Sequence, residues 1–284
     1  MHDYGGKKMA DNTNLRKLQM IELDILKQVI AVCKKYNLCY FLLGGTFLGA
    51  VRHQGFIPWD DDIDIGMPRA DFERFCEIAE TELKEPLGFV SFRNNEEHIY
   101  FHPRVYNYNS KVIDRSGVKE KETFAWIDIF PLDGMPKNGF VRKVYGFYLL
   151  FLRLLFMYSQ FDKIVNVSLK KRVWYERVLI AIGKVIKFDK ILDTHKIMKK
   201  LDDTMKKCKY ESSSYVGNFM GAYKMKEVFP KKHYEETAEY PFEDILCSAP
   251  KDYDAVLSQM YGDYMTPPEK EMQNKHNTEV VSAE

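Results

Sequence analysis

The feature that most constrains the fold is the segment 60–66, in which aspartate alternates with isoleucine before a glycine. Side chains two residues apart lie on the same face of a β-strand. The alternation therefore predicts a strand over 62–66, with Asp62 and Asp64 on one face and the intervening isoleucines buried on the other. Asp60 is a further candidate for the acidic row. Carboxylates that share a face repel each other unless a cation lies between them, and oxygen ligands without a nearby His or Cys favour Mg²⁺ or Mn²⁺ over zinc.

A further acidic residue, Asp128, lies in a second predicted strand, 123–130, which Pro131 is predicted to close. Its apolar and aromatic neighbours are unfavourable for a carboxylate that has no cation or hydrogen-bond partner. Asp62, Asp64 and Asp128, contributed by two neighbouring strands, could hold one or two metal ions for in-line phosphoryl transfer. A D-x-D run alone also fits a solvated loop or a turn, because short motifs have many chance matches.

Residues just before the acidic segment are candidates for phosphate binding. Gly44 and Gly45 follow the apolar run 38–43, which is predicted to be a short buried strand, and they precede a predicted short helix, 46–53. Bare backbone N–H groups at such a junction can approach a phosphate, although a Gly-Gly pair is often only a tight turn. Arg52 is either a phosphate clamp or an ion-pair partner of the acidic run.

The remaining pattern predicts an α+β (mixed α/β) core. With 284 residues, 45% of them apolar, the chain is long enough for one large domain or for a core with an addition. Apolar residues at helical spacing predict helices over 15–36 and 70–83, and β-forming residues predict a strand over 99–113. Residues 1–12 are predicted to be a loose tail. A helix–strand–turn–strand order followed by more strands is typical of α+β folds.

The charge distribution separates the middle of the chain from the rest. The whole chain has 42 Lys/Arg and 41 Asp/Glu, but residues 139–209 contain 17 basic and 6 acidic residues, a net charge of +11. The remainder has 25 basic and 35 acidic residues, a net charge of −10. Such asymmetry indicates an anionic surface or ligand for the basic part.

The basic region is predicted to be helical, and two interpretations of it stay open. Its apolar run 144–152 is too short to span a membrane. Helices that combine Lys and Arg with aromatic residues can lie in the headgroup layer of an anionic membrane, and 173–186, preceded by the basic residues 170–172, is a candidate. Alternatively, the region is a helical subdomain that packs on the core and has solvated lysines.

The cysteines predict a reducing compartment. Five cysteines without a C-x-x-C pair fit neither a disulfide framework nor a four-ligand zinc site. The first thirty residues contain no recognisable signal peptide. We therefore expect a cytoplasmic protein, with the inner face of the cell membrane as an alternative position.

Three neighbouring segments, 43–53, 55–66 and 69–72, together resemble the LicD-type phosphocholine transferase family, which is related to fukutin and the fukutin-related ribitol-phosphate transferases. The resemblance continues in 126–134 and 261–264. It implies a nucleotidyltransferase-like core, in which a small mixed sheet is flanked by helices and a third acidic residue comes from a later strand.

Within this resemblance the chain divides into three parts. Residues 13–138 would form the nucleotidyltransferase-like catalytic core, and residues 139–209 a basic, aromatic helical addition. Residues 210–284 would complete the core. The addition matches no motif of the family, so it leaves the acceptor unidentified.

The resemblance also assigns roles to single residues. Asp62, Asp64 and Asp128 would be the catalytic and metal-binding residues, with Mg²⁺ or Mn²⁺ as the cofactor. Asp128 would hold a second metal or take the proton of the acceptor hydroxyl as general base. Gly44 and Gly45 would occupy the turn that the family has before the metal strand. Together with Thr46, Arg52 and Trp59, they are the residues predicted to bind the donor. Trp59 could stack on a base, but core packing is the simpler interpretation for a single tryptophan.

The function implied is transfer of a phospho-alcohol, such as phosphocholine from CDP-choline, onto a sugar hydroxyl of a surface-glycan or teichoic-acid precursor, with release of CMP. The expected partners are a CDP-alcohol, a glycan or lipid-linked glycan and an anionic membrane surface, without nucleic acid. One alternative keeps the reaction and uses CDP-ribitol or CDP-glycerol. Another is nucleotidyl transfer from an NTP to a small molecule. The non-enzyme alternative is a protein that binds a membrane or polyanion through its basic region.

Overall fold

The computed structural model shows a mixed sheet flanked by helices, and it describes residues 4–115, 120–161, 180–181, 190–269, 273 and 278–283. The helices in this part of the chain are α1 (Tyr4–Tyr36), α2 (Gly44–His53), α3 (Arg69–Glu82), α4 (Gly139–Ser159), α5 (Thr194–Met205) and α6 (Tyr253–Tyr261). The strands are β1 (Phe41–Leu42), β2 (Asp64–Pro68), β3 (Leu87–Val90), β4 (Arg104–Asp114), β5 (Lys121–Gly134), β6 (Tyr215–Gly217), β7 (Val228–Pro230), β8 (Thr237–Phe242), β9 (Ile245–Pro250) and β10 (Glu279–Ala283). This architecture confirms the predicted mixed α/β class.

The central sheet has the strand order β1-β2-β5-β4-β10. Within it β2 and β5 are parallel, and the other neighbours are antiparallel. The parallel register places Asp64 directly opposite Asp128. The two acidic strands that the sequence predicts are therefore neighbours in the sheet, and Asp64 and Asp128 lie side by side.

Helix α1 packs across the sheet through apolar residues at helical spacing, among which Leu23, Leu26 and Val29 are fully buried. The predicted helix is confirmed, but it begins at Tyr4, so the predicted loose tail is wrong from residue 4 onward. Once a helix is nucleated, each added residue contributes a backbone hydrogen bond, and no proline interrupts residues 4–14.

Two predicted strand boundaries near the acids are wrong. Strand β2 begins at Asp64, so Asp62 lies in the loop before the strand and not on it. Strand β5 continues through Pro131 to Gly134. Because β4 pairs with β5 only as far as Asp128, the missing N–H of proline removes no bond from that ladder.

Three other boundaries also differ from the prediction. The predicted strand 38–43 is reduced to β1, and Gly44 and Gly45 are the first residues of α2 instead of a separate turn. The predicted strand 99–113 begins only at Arg104. Strand β3 was not predicted, because a four-residue strand that contains a glycine has too few residues to show a period.

Within the described part of the predicted helical region, α4 and α5 are helices as predicted, and they pack against each other. The Tyr145 hydroxyl of α4 donates a hydrogen bond of 2.6 Å to the carbonyl oxygen of Thr204 on α5. The predicted membrane-binding residues 170–172, and most of 173–186, lie outside the described residues. Within the described ranges, no helix is both long enough and apolar enough to cross a membrane.

A network that we call the ion-pair joint connects α5 to the sheet. It consists of Arg69, Glu73, Arg93, Asp133 and Asp202. Arg69 donates from Nε to Oδ1 of Asp133 at 2.7 Å and from Nη1 to Oδ1 of Asp202 at 2.8 Å. Arg93 donates to Oε2 of Glu73 at 2.7 Å and to Oδ2 of Asp202 at 2.8 Å. Each of these charges thus has an opposite charge beside it, which is the condition under which ions can be buried.

Candidate active site

The first turn of α2 brings a bare backbone against two aspartates. Gly44 has a φ of +52°, a left-handed conformation that glycine adopts without steric cost. A Cβ atom on Gly45 would lie 2.5 Å from Oδ2 of Asp60, and one on Gly44 would lie 3.4 Å from Oδ2 of Asp64. The N-terminus of a helix carries partial positive charge, so this close approach places the carboxylates beside a ready anion-binding position.

Thr46 connects α2 to the beginning of β2. Its buried Oγ1 accepts a hydrogen bond of 2.9 Å from the backbone N–H of Asp64. The backbone N–H of Leu43 donates to the carbonyl oxygen of Asp64 at 3.0 Å. The structure therefore shows Thr46, which was predicted to bind the donor, in contact with the backbone that positions Asp64.

A group that we call the acid cluster lies at this edge of the sheet and consists of Glu22, Asp60, Asp62 and Asp64. Burial raises the pKa of Asp64 well above its usual value, and the charges of Asp62 and Asp128 raise it further. Glu22 on α1 is only 1% exposed, and burial, followed by the charge of Asp62, likewise raises its pKa. The cluster concentrates negative charge, an arrangement that favours a bound cation.

The chemistry of the acid cluster fits a hard divalent cation. All of its members are carboxylates, which Mg²⁺ and Mn²⁺ prefer. The buried Oε2 of Glu22 has no hydrogen-bond partner among the described residues, and a nearby cation would provide one. In the same ranges, no three His, Cys, Asp or Glu side chains already have the spacing of a metal-ligand group.

Asp128 lies opposite Asp64 but has a different environment. Its Oδ1 accepts a hydrogen bond of 2.8 Å from Nε of Arg104 and lies 3.2 Å from Nε2 of His102. Its Oδ2 accepts from Nε1 of Trp126 at 3.3 Å. Burial alone would raise the pKa of Asp128, but Arg104 and His102 together hold it well below the usual range. The protein thus supplies Asp128 with its own cation.

Arg104 is held rigidly in this position. Its guanidinium carbon lies 3.5 Å from the ring centroid of Tyr100 and 4.2 Å from that of Trp126. The residue is only 6% exposed, so both cation–π contacts form away from water, where they are strongest. Arg104 was not predicted as a site residue, because only the register of β4 against β5 reveals that it faces Asp128.

Arg52 contacts a backbone carbonyl, and Trp59 packs against the core. Nη1 of Arg52 donates to the carbonyl oxygen of Tyr264 at 2.5 Å, which connects α2 to the C-terminal segment. Trp59 is partly buried against the main core, and its ring meets that of His53 edge-on at 6.2 Å. Core packing is therefore the observed role of Trp59, and its predicted stacking on a base stays a prediction.

Two residues that the sequence did not indicate lie close to the acid cluster. The Tyr261 hydroxyl on α6 is 4.0 Å from the Cβ position of Gly44, and burial raises its pKa. Glu227 is 7% exposed, lines a small cavity that Gly44 also lines, and has a pKa that burial raises to about 7. The sequence did contain an indication of Tyr261, because this residue lies in the segment 261–264, which resembles the LicD-type family. No sequence motif indicated Glu227.

Comparison with known proteins gives consistent matches. Residues 37–146, which include α2, β2 and β5, match a family model described as LicD/FKTN/FKRP, nucleotidyltransferase domain. The lipopolysaccharide cholinephosphotransferase LicD of Haemophilus influenzae is 30% identical over 268 residues, which cover 93% of this chain and 96% of that protein. The ribitol 5-phosphate transferase FKRP of Homo sapiens is 30% identical over 153 residues, which cover 47% of this chain and 30% of that protein. The uncharacterized protein RP689 of Rickettsia prowazekii is 36% identical over 120 residues, 41% of each chain.

Proposed function

The chain belongs to the LicD family, and we propose that it transfers phosphocholine from CDP-choline to a hydroxyl of a cell-surface glycan or teichoic-acid precursor, releasing CMP. The family assignment makes it a phosphotransferase. The observation that carries the choice of phosphocholine is the similarity to the Haemophilus influenzae cholinephosphotransferase, which extends over nearly the whole of both chains. The acid cluster beside the bare N-terminus of α2 supports a reaction at a diphosphate.

The donor diphosphate would bind between α2 and the acid cluster. The backbone N–H groups of Gly44 and Gly45 could approach phosphate oxygens, because neither residue has a side chain of its own. Asp62 and Asp64 would hold Mg²⁺ or Mn²⁺, which supplies neutralising charge to the diphosphate when it is bound. Without a cation, these carboxylates would repel the donor.

The contacts of Asp128 support a binding role over proton uptake. Arg104 and Trp126 already donate to its two oxygens, so the carboxylate is satisfied and fixed in orientation. A carboxylate stabilised in this way is a weak base. Of the two predicted roles, these contacts argue against the general base, and the ligand of a second metal stays a prediction.

The donor class can be tested by calorimetry with CDP-choline, CDP-ribitol, CDP-glycerol and CTP, each with and without Mg²⁺. We expect CDP-choline to bind most tightly and only with Mg²⁺, and a transfer assay to release CMP. Preference for CTP with pyrophosphate release would overturn the proposal in favour of nucleotidyl transfer. If none of the four nucleotides binds, the proposal of a nucleotide donor site is contradicted.

A second donor is favoured by one specific comparison. The human ribitol 5-phosphate transferase is also 30% identical, although over a shorter region of 153 residues. CDP-ribitol is therefore the alternative donor for the same transfer. Tighter Mg²⁺-dependent binding of CDP-ribitol than of CDP-choline would establish it.

We place the reaction in the cytoplasm. All five cysteines lie within the described ranges as free thiols, which supports a reducing compartment. A fractionation experiment on cells that express the protein would test this location, and recovery on the outer cell surface would contradict it.

A further inference from the structure

Helix α4 is apolar on two opposite sides. Its inner side packs against α5 and the sheet, where Leu149, Leu152 and Phe156 are at most 7% exposed. Its outer side carries large apolar residues that remain exposed in the structure. Phe140 is 77% exposed, Val144 52%, Phe147 71% and Phe151 52%. Residues at this spacing, i, i+4, i+7 and i+11, form one stripe along a helix.

A contiguous exposed stripe of this kind is unusual on a protein surface that faces only water. We propose that the outer face of α4 docks this protein onto an anionic lipid surface, with Phe140, Phe147 and Phe151 inserted among the lipids. The helix would then lie in the plane of the interface, since it is not apolar enough to cross a membrane.

The charge of α4 and of the stretch that contains it favours an anionic lipid as the occupant. Lys143 is exposed on α4, and this helix contains no acidic residue. The stretch 139–209 as a whole has a net charge of +11. A second copy of the chain would bring the same positive charge to the contact and be repelled. Anionic headgroups provide the opposite charge, and their acyl chains provide an apolar phase for the aromatic rings.

The inner side of α4 connects this surface to the candidate active site. Arg153 is partly buried, and its Nη1 donates to the carbonyl oxygen of Phe219 at 2.9 Å. The charge of Arg153 acts on Glu227, and that of Glu227 acts on Asp64. Docking through α4 would hold the protein at the surface where a lipid-linked acceptor is found; that benefit rests on the proposed function, whereas the docking itself does not.

The test is flotation of the full chain with vesicles of phosphatidylcholine, alone or mixed with phosphatidylglycerol, without nucleotide or acceptor. We expect binding to the mixed vesicles only. The triple substitution Phe140→Ser, Phe147→Ser and Phe151→Ser should weaken the partition by on the order of 100-fold or more, because three buried aromatic rings are lost from the interface. Leu246→Ser, at a residue that is 52% exposed on β9, is the matched control and should bind like the unmodified chain.

Three results would overturn the docking proposal. One is vesicle binding that the triple substitution leaves unchanged, and another is absence of binding by the unmodified chain. The third is a dimer in analytical ultracentrifugation that the triple substitution dissociates, which would make the face a contact between copies. Transfer to a soluble acceptor should be unaffected by the substitution, so a failure of the proposed function would appear in that assay and not in flotation.

Discussion

The acid cluster and the ion-pair joint are both groups of buried and partly buried carboxylates, but their surroundings differ. In the joint, Asp133 and Asp202 each accept hydrogen bonds from Arg69. In the acid cluster, carboxylates face one another, and burial and mutual repulsion raise the pKa of Asp64 and of Glu22. Charge that the protein balances itself stabilises the fold, whereas concentrated charge of one sign favours an external ligand.

Asp128 lies between these two cases. It neighbours Asp64 across the parallel strand pair, yet it has a protein cation, Arg104, as the joint's carboxylates do. The comparison therefore separates residues that should control activity from residues that should control stability.

The largest effect is expected at Asp64. Asp64→Asn should reduce transfer by on the order of 100-fold or more, because it removes a carboxylate from the proposed cation site. The free energy of unfolding should not fall, since the substitution relieves repulsion and leaves the backbone bond to Thr46 in place. Steady-state transfer and urea unfolding measure the two effects. Asp203→Asn, at an exposed position on α5, is the control; equal activity of both variants would contradict the assignment of Asp64.

Arg69→Met should show the reverse pattern. It leaves Asp133 and Asp202 buried without their cation, which should lower the free energy of unfolding by about 3–5 kcal/mol. Urea denaturation provides the measurement, and Arg74→Met on the exposed side of α3 is the control. Adding Asp133→Asn to Arg69→Met should recover part of the loss. A loss no greater than that of Arg74→Met would show that the joint does not stabilise the fold.

Glu22→Gln tests whether α1 contributes to the cation site. The side chain keeps its shape and loses its charge, so Mg²⁺ binding should weaken by about tenfold or more, because the unpaired Oε2 of Glu22 would face the cation. The midpoint temperature of thermal unfolding in EDTA should not fall, because the substitution removes one repelling charge. Calorimetric titration with Mg²⁺ measures the affinity, and an unchanged affinity would remove Glu22 from the site.

The smallest effect concerns acid stability. Burial alone would raise the pKa of Glu73 in the joint, but Arg93 and the other cations lower it to about 2, against 4.5 for an ordinary glutamate. Its stabilising contribution is therefore complete above pH 4.5 and is lost as the pH falls towards 2. The pKa of Asp64 is raised instead, so protonation of Asp64 favours the folded state as the pH falls.

Unfolding curves in EDTA between pH 7 and 2 can separate the two contributions. Glu73→Gln should abolish part of the loss of stability between pH 4.5 and 2, and Asp64→Asn should leave that loss intact. Parallel pH profiles for the unmodified chain and Glu73→Gln would contradict the contribution of Glu73 to the joint.

Much of the candidate site could be predicted because its central part is local in sequence. The alternation of Asp and Ile predicts a strand through Asp64, and Gly44 and Gly45 stand one short helix before it. Asp62 was wrongly predicted to lie on that strand. The Asp–Ile alternation begins two residues before Asp64, which is the first residue of β2 that pairs with β5. Pairing partners, and not the period alone, determine where a strand starts.

Residues from distant elements could not be predicted in the same way. Glu22 comes from α1, Arg104 from β4, Glu227 from a turn before β7 and Tyr261 from α6. None has a spacing relative to the acids that indicates contact. Their positions depend on how helices pack on the sheet and on strand register, which are long-range properties of the fold.

The sequence by itself determined the fold class, the acidic strand pair, the glycines before it and the separation of a basic helical region from an acidic remainder. These properties follow from periods and charges that neighbouring residues define. Only the tertiary structure decided that Arg104 pairs with Asp128 and that Thr46 accepts a hydrogen bond from the backbone N–H of Asp64. It also decided that the aromatic side of α4 remains exposed. Each of these depends on which groups from distant parts of the chain come into contact, because burial and Coulomb interactions act through space and not along the sequence.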